Sequence, residues 1–406
     1  MDLNYGPRHL AFRDDLRAFL KEHEDRAPRG EVVIGRPSPE DLAWRELLIE
    51  RGYLGRGVPK EYGGAGADAD ILETFIIDDE FTLAGIRGPY SVHTTIPGTI
   101  TCCAAVLAHG TEEQKKRYIG PGLAGTEIWC QGFSEPSSGS DLASLRTTAV
   151  PDGDDFVING QKIWTSNAHV ADMMFALVRT ETDVPKHQGL SFILIPMNTP
   201  GVEVRPLQTM TGNSEFCEVF FTDARVPQKN LVGPRGAGWK VANTALETER
   251  ILIAGNVGWT EGLLKDLERL MLVADQSGAR AMDNPIYRER FMKLSGSVQA
   301  VRCNSMRMKT RAAKKSGPGM PELIAKLQTT RLNHEICGLA IDCMGQRGTL
   351  FHGSRHEPEE GKWQIGYMYW LGVMIGGGTE QIQKNIISER GLGMPREPKL
   401  SGVGKQ

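Results

Sequence analysis

The stretch DDFVINGQKIWTSN, residues 154–167, marks the place where the chain changes from helical to strand-like sequence. It contains two runs rich in β-branched and aromatic residues, joined by Asn159-Gly160. This dipeptide accepts the positive φ angles of a two-residue turn, so the pattern predicts a β-hairpin that turns at Asn159.

Further strand patterns follow this stretch, and helical patterns lie on both sides of it. The strand candidates, each bounded by Pro or Gly, are MMFALVRT, GLSFILIPM, GVEVRPL and CEVFFTDARVP. Before them, SPEDLAWRELLIERG predicts a helix capped by Ser38 with Asp41 in the capping box, and TEEQKKRYI predicts one capped by Thr111. After residue 239, long periodic stretches predict a bundle of helices.

Helices, then strands, then helices indicate segregated layers rather than an alternating α/β sheet. We therefore predict an α+β fold with three domains. They are a helical N-terminal domain (residues 1–126), a central antiparallel β domain (127–238) and a C-terminal four-helix bundle (239–406).

Composition excludes several classes of function. A net charge of -3 over 406 residues gives no reason to expect nucleic acid or an anionic membrane as a partner. No run approaches the roughly 18 apolar residues of a membrane span, and the first residues lack the pattern of a signal peptide. The seven cysteines contain no C-x-x-C pair, which favours reduced thiols in a cytoplasmic protein, and the histidines lack metal-binding spacing.

Two motifs in the strand region are candidates for ligand binding. WCQGFSEPSSGSD, residues 129–141, offers hydroxyls and backbone N–H groups to a polar ligand, although a plain surface turn explains it equally well. Trp164 and Ser166 stand two apart and so share one side of a strand, where an indole beside a hydroxyl suits a planar cofactor. The alternative for Trp164 is a place in the core.

The stretch TALETERILIAGN, residues 244–256, contains a candidate general base. At helical spacing Glu249 falls on a mainly apolar face with small neighbours, where burial raises the pKa of a carboxyl group. The alternative is a glutamate at a domain interface, paired with an arginine such as Arg250.

Near the C-terminus, WLGVMIGGGTEQIQKN (residues 370–385) carries three consecutive glycines in an otherwise apolar, helical pattern. Each glycine costs a helix interior roughly 1 kcal/mol relative to alanine, so the triplet needs a structural or functional reason.

Taken together, GFSEPSSGSD, NGQKIWTSNA, HGTEEQKKRYI, ETERI and GGTEQIQ resemble the acyl-CoA dehydrogenase family, in the family's order and spacing up to about Arg396. The resemblance implies a helical domain, a β domain and a four-helix bundle, with FAD bound between the last two. It also implies tetramers, built as dimers of dimers.

The resemblance gives the motifs roles. It implies that the flavin is lined by the loop residues and by Trp164 and Ser166, the latter in place of a threonine that reaches flavin N5. The implied FAD contacts are Phe133, Ser134, Gly139, Ser140, Trp164, Ser166, Thr379 and Gln381. Ser140 also matches a contact to the CoA substrate.

Two positions depart from the part of the family pattern that serves a neighbouring subunit's FAD. Arg280 matches the arginine but lacks the Thr-Phe-Gly that follows it in the family. Asp342 stands where the family has a glutamine, although Gly345 fits the pattern.

The resemblance also accounts for the glycines. In much of the family a catalytic glutamate precedes the Gly-Thr of GTxQIQ, and here that position is Gly377. Other branches carry the base on an earlier bundle helix, directly before an arginine, which Glu249-Arg250 matches. The resemblance therefore implies Glu249 as base, Gly377 as the backbone donor to the thioester, and Ser140 and Arg250 as further substrate contacts. A pocket floored by glycine favours a branched or bulky acyl group.

The implied activity is FAD-dependent α,β-dehydrogenation of an acyl-CoA, with electrons passed to an electron-transfer flavoprotein. KIWTSNAHVAD is most similar to actinobacterial members, some of which act on steroid side-chain thioesters as complexes of two unlike subunits. Two alternatives stay open: a non-catalytic or FAD-sharing subunit of a heterotetramer, and a related flavin oxidase. The homotetramer and the heterotetramer are equally compatible with the sequence.

Overall fold

The structure is a computed structural model of the chain. It describes residues 5–29, 35–68, 70–89, 93–255, 257–274, 278–314, 316–317, 319–351, 353–356 and 358–396; at 93, 247–255 and 358 only the backbone is described. The described residues divide into two compact units, 1–252 and 253–406, and each is considered by itself.

The first unit begins with helices whose ends follow the capping signals. Ser38 accepts a hydrogen bond from the Asp41 N–H and completes the predicted capping box, and Thr111 forms a second box with Gln114. These predictions are confirmed. A π-helical turn, Pro97–Cys102, leads into the fourth helix. The helices are α1 (Pro7–Glu22), α2 (Pro39–Glu50), α3 (Ile71–Ala84), α4 (Cys103–His109) and α5 (Glu112–Ala124).

A largely antiparallel sheet follows, as predicted. Its strands are β1 (Trp129–Gly132), β2 (Thr148–Asp152), β3 (Asp155–Ser166), β4 (Met173–Arg179), β5 (Leu190–Pro196), β6 (Val202–Leu207), β7 (Phe216–Pro227) and β8 (Leu231–Val232). They run in the order β6-β7-β3-β2-β4-β5-β8, with β1 beside β4. Only the pairs of β4 with β1 and with β2 are parallel among the described strands.

The central strands β4 and β5 are buried on both faces, which explains their nearly continuous apolar sequence. Because side chains alternate along a strand, Phe175 and Phe192 join a core cluster with helix residues such as Val106. Met174 and Ile193, one residue away, pack instead against β3 and β7. The central strands β4 and β5 therefore pack against helices on one face and against strands β3 and β7 of the same sheet on the other.

The prediction of a hairpin turn at Asn159-Gly160 is wrong. β3 runs without interruption from Asp155 to Ser166, and the chain turns earlier, at residues 153–154 between the paired Asp152 and Asp155. Gly160 instead forms a β-bulge with φ of +146°, where a Cβ would lie 2.6 Å from Thr147 Oγ1. The dipeptide's conformational freedom serves this bulge and close approach rather than a turn.

Helix α6 (Gly238–Gly255) follows the sheet, and the second unit contains the remaining helices. They are α7 (Gly258–Leu272), α8 (Pro285–Ala313), α9 (Met320–Met344), α10 (Lys362–Ile375) and the short α11 (Glu380–Ile386). Residues of α7, α8, α9 and α10 share one apolar core that includes Leu267, Val298, Ile336 and Trp363, which confirms the predicted four-helix bundle. None of the described helices is long and apolar enough to cross a membrane.

Candidate functional site

The serine-rich loop between β1 and β2 has a fixed conformation. Glu135 and Ser138 exchange backbone hydrogen bonds of 3.2 and 3.0 Å, which closes a tight turn, and the Ser138 and Ser144 hydroxyls lie 3.1 Å apart. Gly139 and Ser140 follow this turn on the exposed side of the loop. The loop thus presents Ser140 and nearby backbone outward while its base is buried.

A buried ion pair that sequence reasoning missed holds this loop from inside. Lys162 in the middle of β3 is 0% exposed, and its Nζ donates to Glu135 Oε1 at 2.8 Å, to Leu177 O at 2.7 Å and to Phe133 O at 3.2 Å. Glu135 Oε1 and Oε2 also accept from the backbone N–H groups of Thr147 and Arg146. The pair therefore ties both ends of the loop to the sheet.

The surroundings lower the pKa values of both groups, which disfavours the charged form of Lys162 and favours the charged form of Glu135. Burial lowers the pKa of Lys162 to about 8, against the opposing effect of Glu135. The pKa of Glu135 is lowered, because Lys162 and the hydrogen bonds of the loop outweigh burial. Both groups are charged at neutral pH, and each is satisfied by several partners.

A second bulge in β3 places Trp164. The register of β3 against β7 shifts between Lys162 and Thr165, so both of those side chains, although three apart, point into the core. Trp164 lies at this bulge with φ of +59°, a conformation costly for a bulky residue, and its side chain is 58% exposed. The interpretation of Trp164 as a core residue is therefore wrong.

The structure brings the loop and the bulge together. The Ile163 N–H donates to Ser134 O at 3.0 Å, so the backbone of Ser134 is hydrogen-bonded to the residue directly before Trp164. Ser166 and Trp164 flank the buried Thr165, and Trp164 touches Phe216 edge-on at 6.0 Å between ring centroids. An uncovered indole between hydroxyls and backbone polar groups fits a flat, polar-edged ring system such as a flavin.

Phe133 plays a different part from its neighbours. Its ring is buried and packs edge-on against Phe175 and Phe192, at centroid distances of 5.8 and 6.2 Å. Only the backbone of Phe133 is therefore placed to meet a ligand.

The predicted base and its neighbour lie on α6. Ala242 and Ala245, which share the predicted apolar face, are buried in the same core cluster as Phe133. The helix continues through Glu249 and Arg250, but their side chains lie outside the described part of the structure.

In the second unit, the three glycines separate two helices. α10 ends at Ile375, and Gly377 and Gly378 adopt φ angles of +63° and +95°. The Thr379 hydroxyl then caps α11 by accepting from the Ile382 N–H at 3.3 Å. A turn with two consecutive left-handed residues explains the triplet, because residues with a Cβ rarely adopt this conformation. Gln381 is exposed just beyond the turn.

The two residues that depart from the family pattern are both engaged within the chain. Arg280 forms a two-bonded ion pair with Asp283 at 3.0 and 2.9 Å. Arg290 donates to Asp342 at 2.6 Å. These side chains are thus paired locally in the isolated chain.

The fold and the site define a flavin-type oxidoreductase with a helical, a β and a bundle domain. The chain belongs to the acyl-CoA dehydrogenase family. Residues 6–126 match the family's N-terminal domain, residues 130–224 its middle domain and residues 236–392 its C-terminal domain. Members of this family are enzymes that act on acyl-CoA thioesters.

Among curated proteins, the acyl-CoA dehydrogenase IpdE1 of Mycobacterium tuberculosis is 37% identical over 398 residues, covering 96% of this chain and 98% of the relative. FadE26 of the same organism is 31% identical, over 98% of this chain and 99% of the relative. Among solved structures, the Tcur3481-Tcur3483 steroid ACAD is similar at a TM-score of 0.80 and 30% identity, covering 98% of this chain and 100% of that one. The ChsE4-ChsE5 complex of M. tuberculosis matches with a TM-score of 0.78 and 30% identity over the same shares.

Proposed function

We propose that this chain catalyses the FAD-dependent α,β-dehydrogenation of an acyl-CoA thioester to the 2-enoyl-CoA. The observation that carries the proposal is Trp164, an exposed indole held in a costly backbone conformation beside the serine loop. Such strain at a solvent-exposed aromatic side chain is typical of a binding site rather than of a stabilising contact.

The residues that would hold FAD follow the resemblance. Ser134, Ser140, Trp164 and Ser166, with the backbone of Phe133 and Gly139, would face the flavin. Thr379 and Gln381 would also contact FAD, and Arg280 would contact the FAD of a neighbouring subunit. When bound, FAD supplies the acceptor for the substrate's β-hydrogen, which leaves as hydride to N5.

The chain's own residues manage the α-proton. Glu249 takes the proton from the α-carbon, and the electron pair left behind becomes the α,β double bond as the hydride departs. The Gly377 N–H donates a hydrogen bond to the thioester oxygen as enolate character develops there. Ser140 and Arg250 position the CoA thioester around these two groups.

The substrate is proposed to be branched or bulky, with a ring-bearing acyl group as the first choice. A Cβ at Gly377 would find no atom within 4 Å, so the position that carries a glutamate in much of the family is open here. The similarity to a structure titled as a steroid ACAD supports the same choice.

A second candidate is an FAD-sharing or non-catalytic subunit of a heterotetramer. Its support is the local pairing of Arg280 with Asp283 and of Asp342 with Arg290, since these side chains occupy positions that serve a neighbouring FAD in the family. The similarity to the ChsE4-ChsE5 complex supports a two-chain assembly. This candidate predicts little flavin in the chain purified alone, and full flavin when a second, unlike subunit is co-expressed.

Transfer of electrons to an electron-transfer flavoprotein is also part of the proposal. A flavin oxidase would differ by rapid reoxidation of the reduced flavin in air.

The domain boundaries at residues 126 and 238 and the cytoplasmic location stay predictions.

The experiment that tests the function is an anaerobic titration of the purified protein with straight-chain, branched and steroid-type acyl-CoAs, followed by flavin absorbance. We expect bleaching by one class in the wild type, and no bleaching in Glu249→Gln although flavin is retained. Glu247→Gln, two residues earlier on the same helix, is the matched control and should bleach like the wild type. Equal bleaching of Glu249→Gln would remove Glu249 as the base, and the absence of bleaching in the wild type would remove the proposed activity.

A further inference from the structure

One lysine reaches both sides of the glycine turn in the second unit. Lys326 lies on α9, and its Nζ donates to Met374 O at 2.9 Å and to Gly378 O at 2.7 Å. Met374 belongs to the last turn of α10, whereas Gly378 comes directly before the cap of α11. We call residues 376–379 the glycine loop. The Lys326 ammonium group thus joins the end of α10 to the Gly378 carbonyl, which belongs to the glycine loop.

Other hydrogen bonds fix the centre of the glycine loop. The Gly376 N–H donates to Gly372 O at 2.8 Å, and Gln383 Nε2 donates to Gly377 O at 3.2 Å. These bonds bracket the peptide that carries the Gly377 N–H. In the described part of the chain this N–H has no acceptor of its own, so it is free to bind a ligand.

The same helix also supports the start of α11. Arg331, five residues after Lys326, donates to both carboxylate oxygens of Glu380, the first residue of α11, at 3.3 and 2.8 Å. α9 therefore holds the glycine loop on one side through Lys326 and on the other through Arg331.

Lys326 donates its two bonds as a half-buried cation beside the last turn of α10. The side chain is half-buried, and burial lowers the pKa of the ammonium against the opposing effect of Glu380. The last carbonyls of a helix have no partner within the helix, and a cation near them is favoured by the helix dipole. Hydrogen bonds from a charged donor are roughly twice as strong as neutral ones, so the loss of Lys326 should release the glycine loop.

We propose that Lys326 is a positioning residue, which holds the glycine loop so that the Gly377 N–H stays aimed at the thioester oxygen. The proposal rests on the proposed function, because it takes Gly377 as the thioester donor. A donor that is held in place before the substrate arrives costs no reorganisation during the reaction.

The first test is amide hydrogen exchange on the flavin-loaded protein, and it requires no substrate. In Lys326→Met, we expect the amides of Gly376 and Ile382 to exchange about tenfold faster or more, because the hydrogen bonds of a charged group are lost. Lys362→Met is the matched control, since Lys362 pairs with Asp266 at the opposite end of α10 and its loss should leave both amides unchanged. Unchanged exchange in Lys326→Met, or equal acceleration in both variants, would overturn the proposal.

The second test is the limiting rate of flavin bleaching at saturating FAD and acyl-CoA. We expect Lys326→Met to lower this rate about tenfold, which is less than the 10²-fold or more for complete loss of an oxyanion donor. Lys326→Arg should restore most of the rate, and Lys362→Met should not change it. A wild-type rate in Lys326→Met would overturn the positioning role.

The two tests separate the failure of this proposal from that of the proposed function. If no acyl-CoA bleaches the wild type, the function fails, but hydrogen exchange still decides whether Lys326 holds the loop. If Lys326→Met does not fold, Lys326→Gln replaces it in both tests, because its amide is shorter and uncharged and should weaken the bonds to the two carbonyls.

Discussion

Replacing Lys162 by methionine should be one of the most damaging single changes in the first unit. The ammonium donates three hydrogen bonds, to Glu135 Oε1, Leu177 O and Phe133 O, and its side chain is fully buried. Methionine is similar in length and apolar, so it removes these bonds without opening a large cavity. Glu135 then remains as a buried charge without its counterion.

The size of the stability loss depends on the hydrogen bonds that Glu135 keeps. Breaking a buried ion pair by removing one partner costs about 3–5 kcal/mol. Glu135 keeps two backbone donors, Arg146 N and Thr147 N, so we expect the lower end, about 3 kcal/mol. For a unit of this size, each 1 kcal/mol shifts the melting temperature by roughly 2 °C, which predicts a loss of about 6 °C.

Thermal unfolding of the purified protein measures this directly, with Lys186→Met as the matched control. Lys186 Nζ makes bonds of similar length to Asp141, 2.8 and 2.7 Å, but both side chains are exposed, so the control should lose less than about 1 kcal/mol. In a double-mutant cycle with Glu135→Gln, the double variant should lose at least about 1 kcal/mol less than the sum of the two single variants. Equal, small shifts for Lys162→Met and Lys186→Met would show that the buried ion pair does not stabilise the first unit.

Three further predictions concern the same sheet. Because the pKa of Lys162 is about 8 when folded and about 10.4 in an unfolded chain, the unfolded state holds more protons between these values, and stability rises with pH there. Denaturant unfolding at pH 7.5 and 9.5 should therefore show the wild type gaining stability relative to Lys162→Met, whereas parallel changes would contradict the shift. Gly160→Ala should lose about 1–3 kcal/mol, because a Cβ there meets Thr147 at 2.6 Å, whereas Gly139→Ala has open space and should lose almost nothing in the same melting experiment. Trp164→Gly should keep the melting temperature within a few degrees, since glycine relieves the positive φ, but should lower the flavin content; a large loss of stability with normal flavin content would assign Trp164 a structural role.

The sequence predicts the layers and several helix ends well because those signals are local. Ser38 and Thr111 cap helices by contacts three residues away, and such spacing is visible in the chain. The alternating and continuous apolar runs likewise predict strands, since period and burial follow from the geometry of a sheet.

The predictions are wrong or incomplete where contacts between segments distant in sequence determine the local structure. Both Gly153-Asp154 and Asn159-Gly160 can turn a hairpin, and the pairing of β3 with β7 on its far side selects the first. Trp164 points outward because a bulge shifts the register against β7. Lys162 gave no signal as a buried charge, since its partner Glu135 is 27 residues away and belongs to a loop.

The glycine triplet lies between these cases. The triplet is conspicuous in the sequence because the cost of glycine in a helix is local, and the structure has the break between α10 and α11 at this point. The contacts that hold the turn, from Lys326 and Gln383, depend on the packing of the bundle and are not visible in the spacing.

The proposed α,β-dehydrogenation is tested most directly by the mass and double-bond position of the thioester recovered after anaerobic mixing with the flavin-loaded protein. We expect an acyl-CoA that has lost two hydrogens, one from the α- and one from the β-carbon, formed in an amount equal to the bleached flavin and absent with Glu249→Gln. A thioester recovered unchanged from all three acyl classes, or one oxidised at another position, would contradict it.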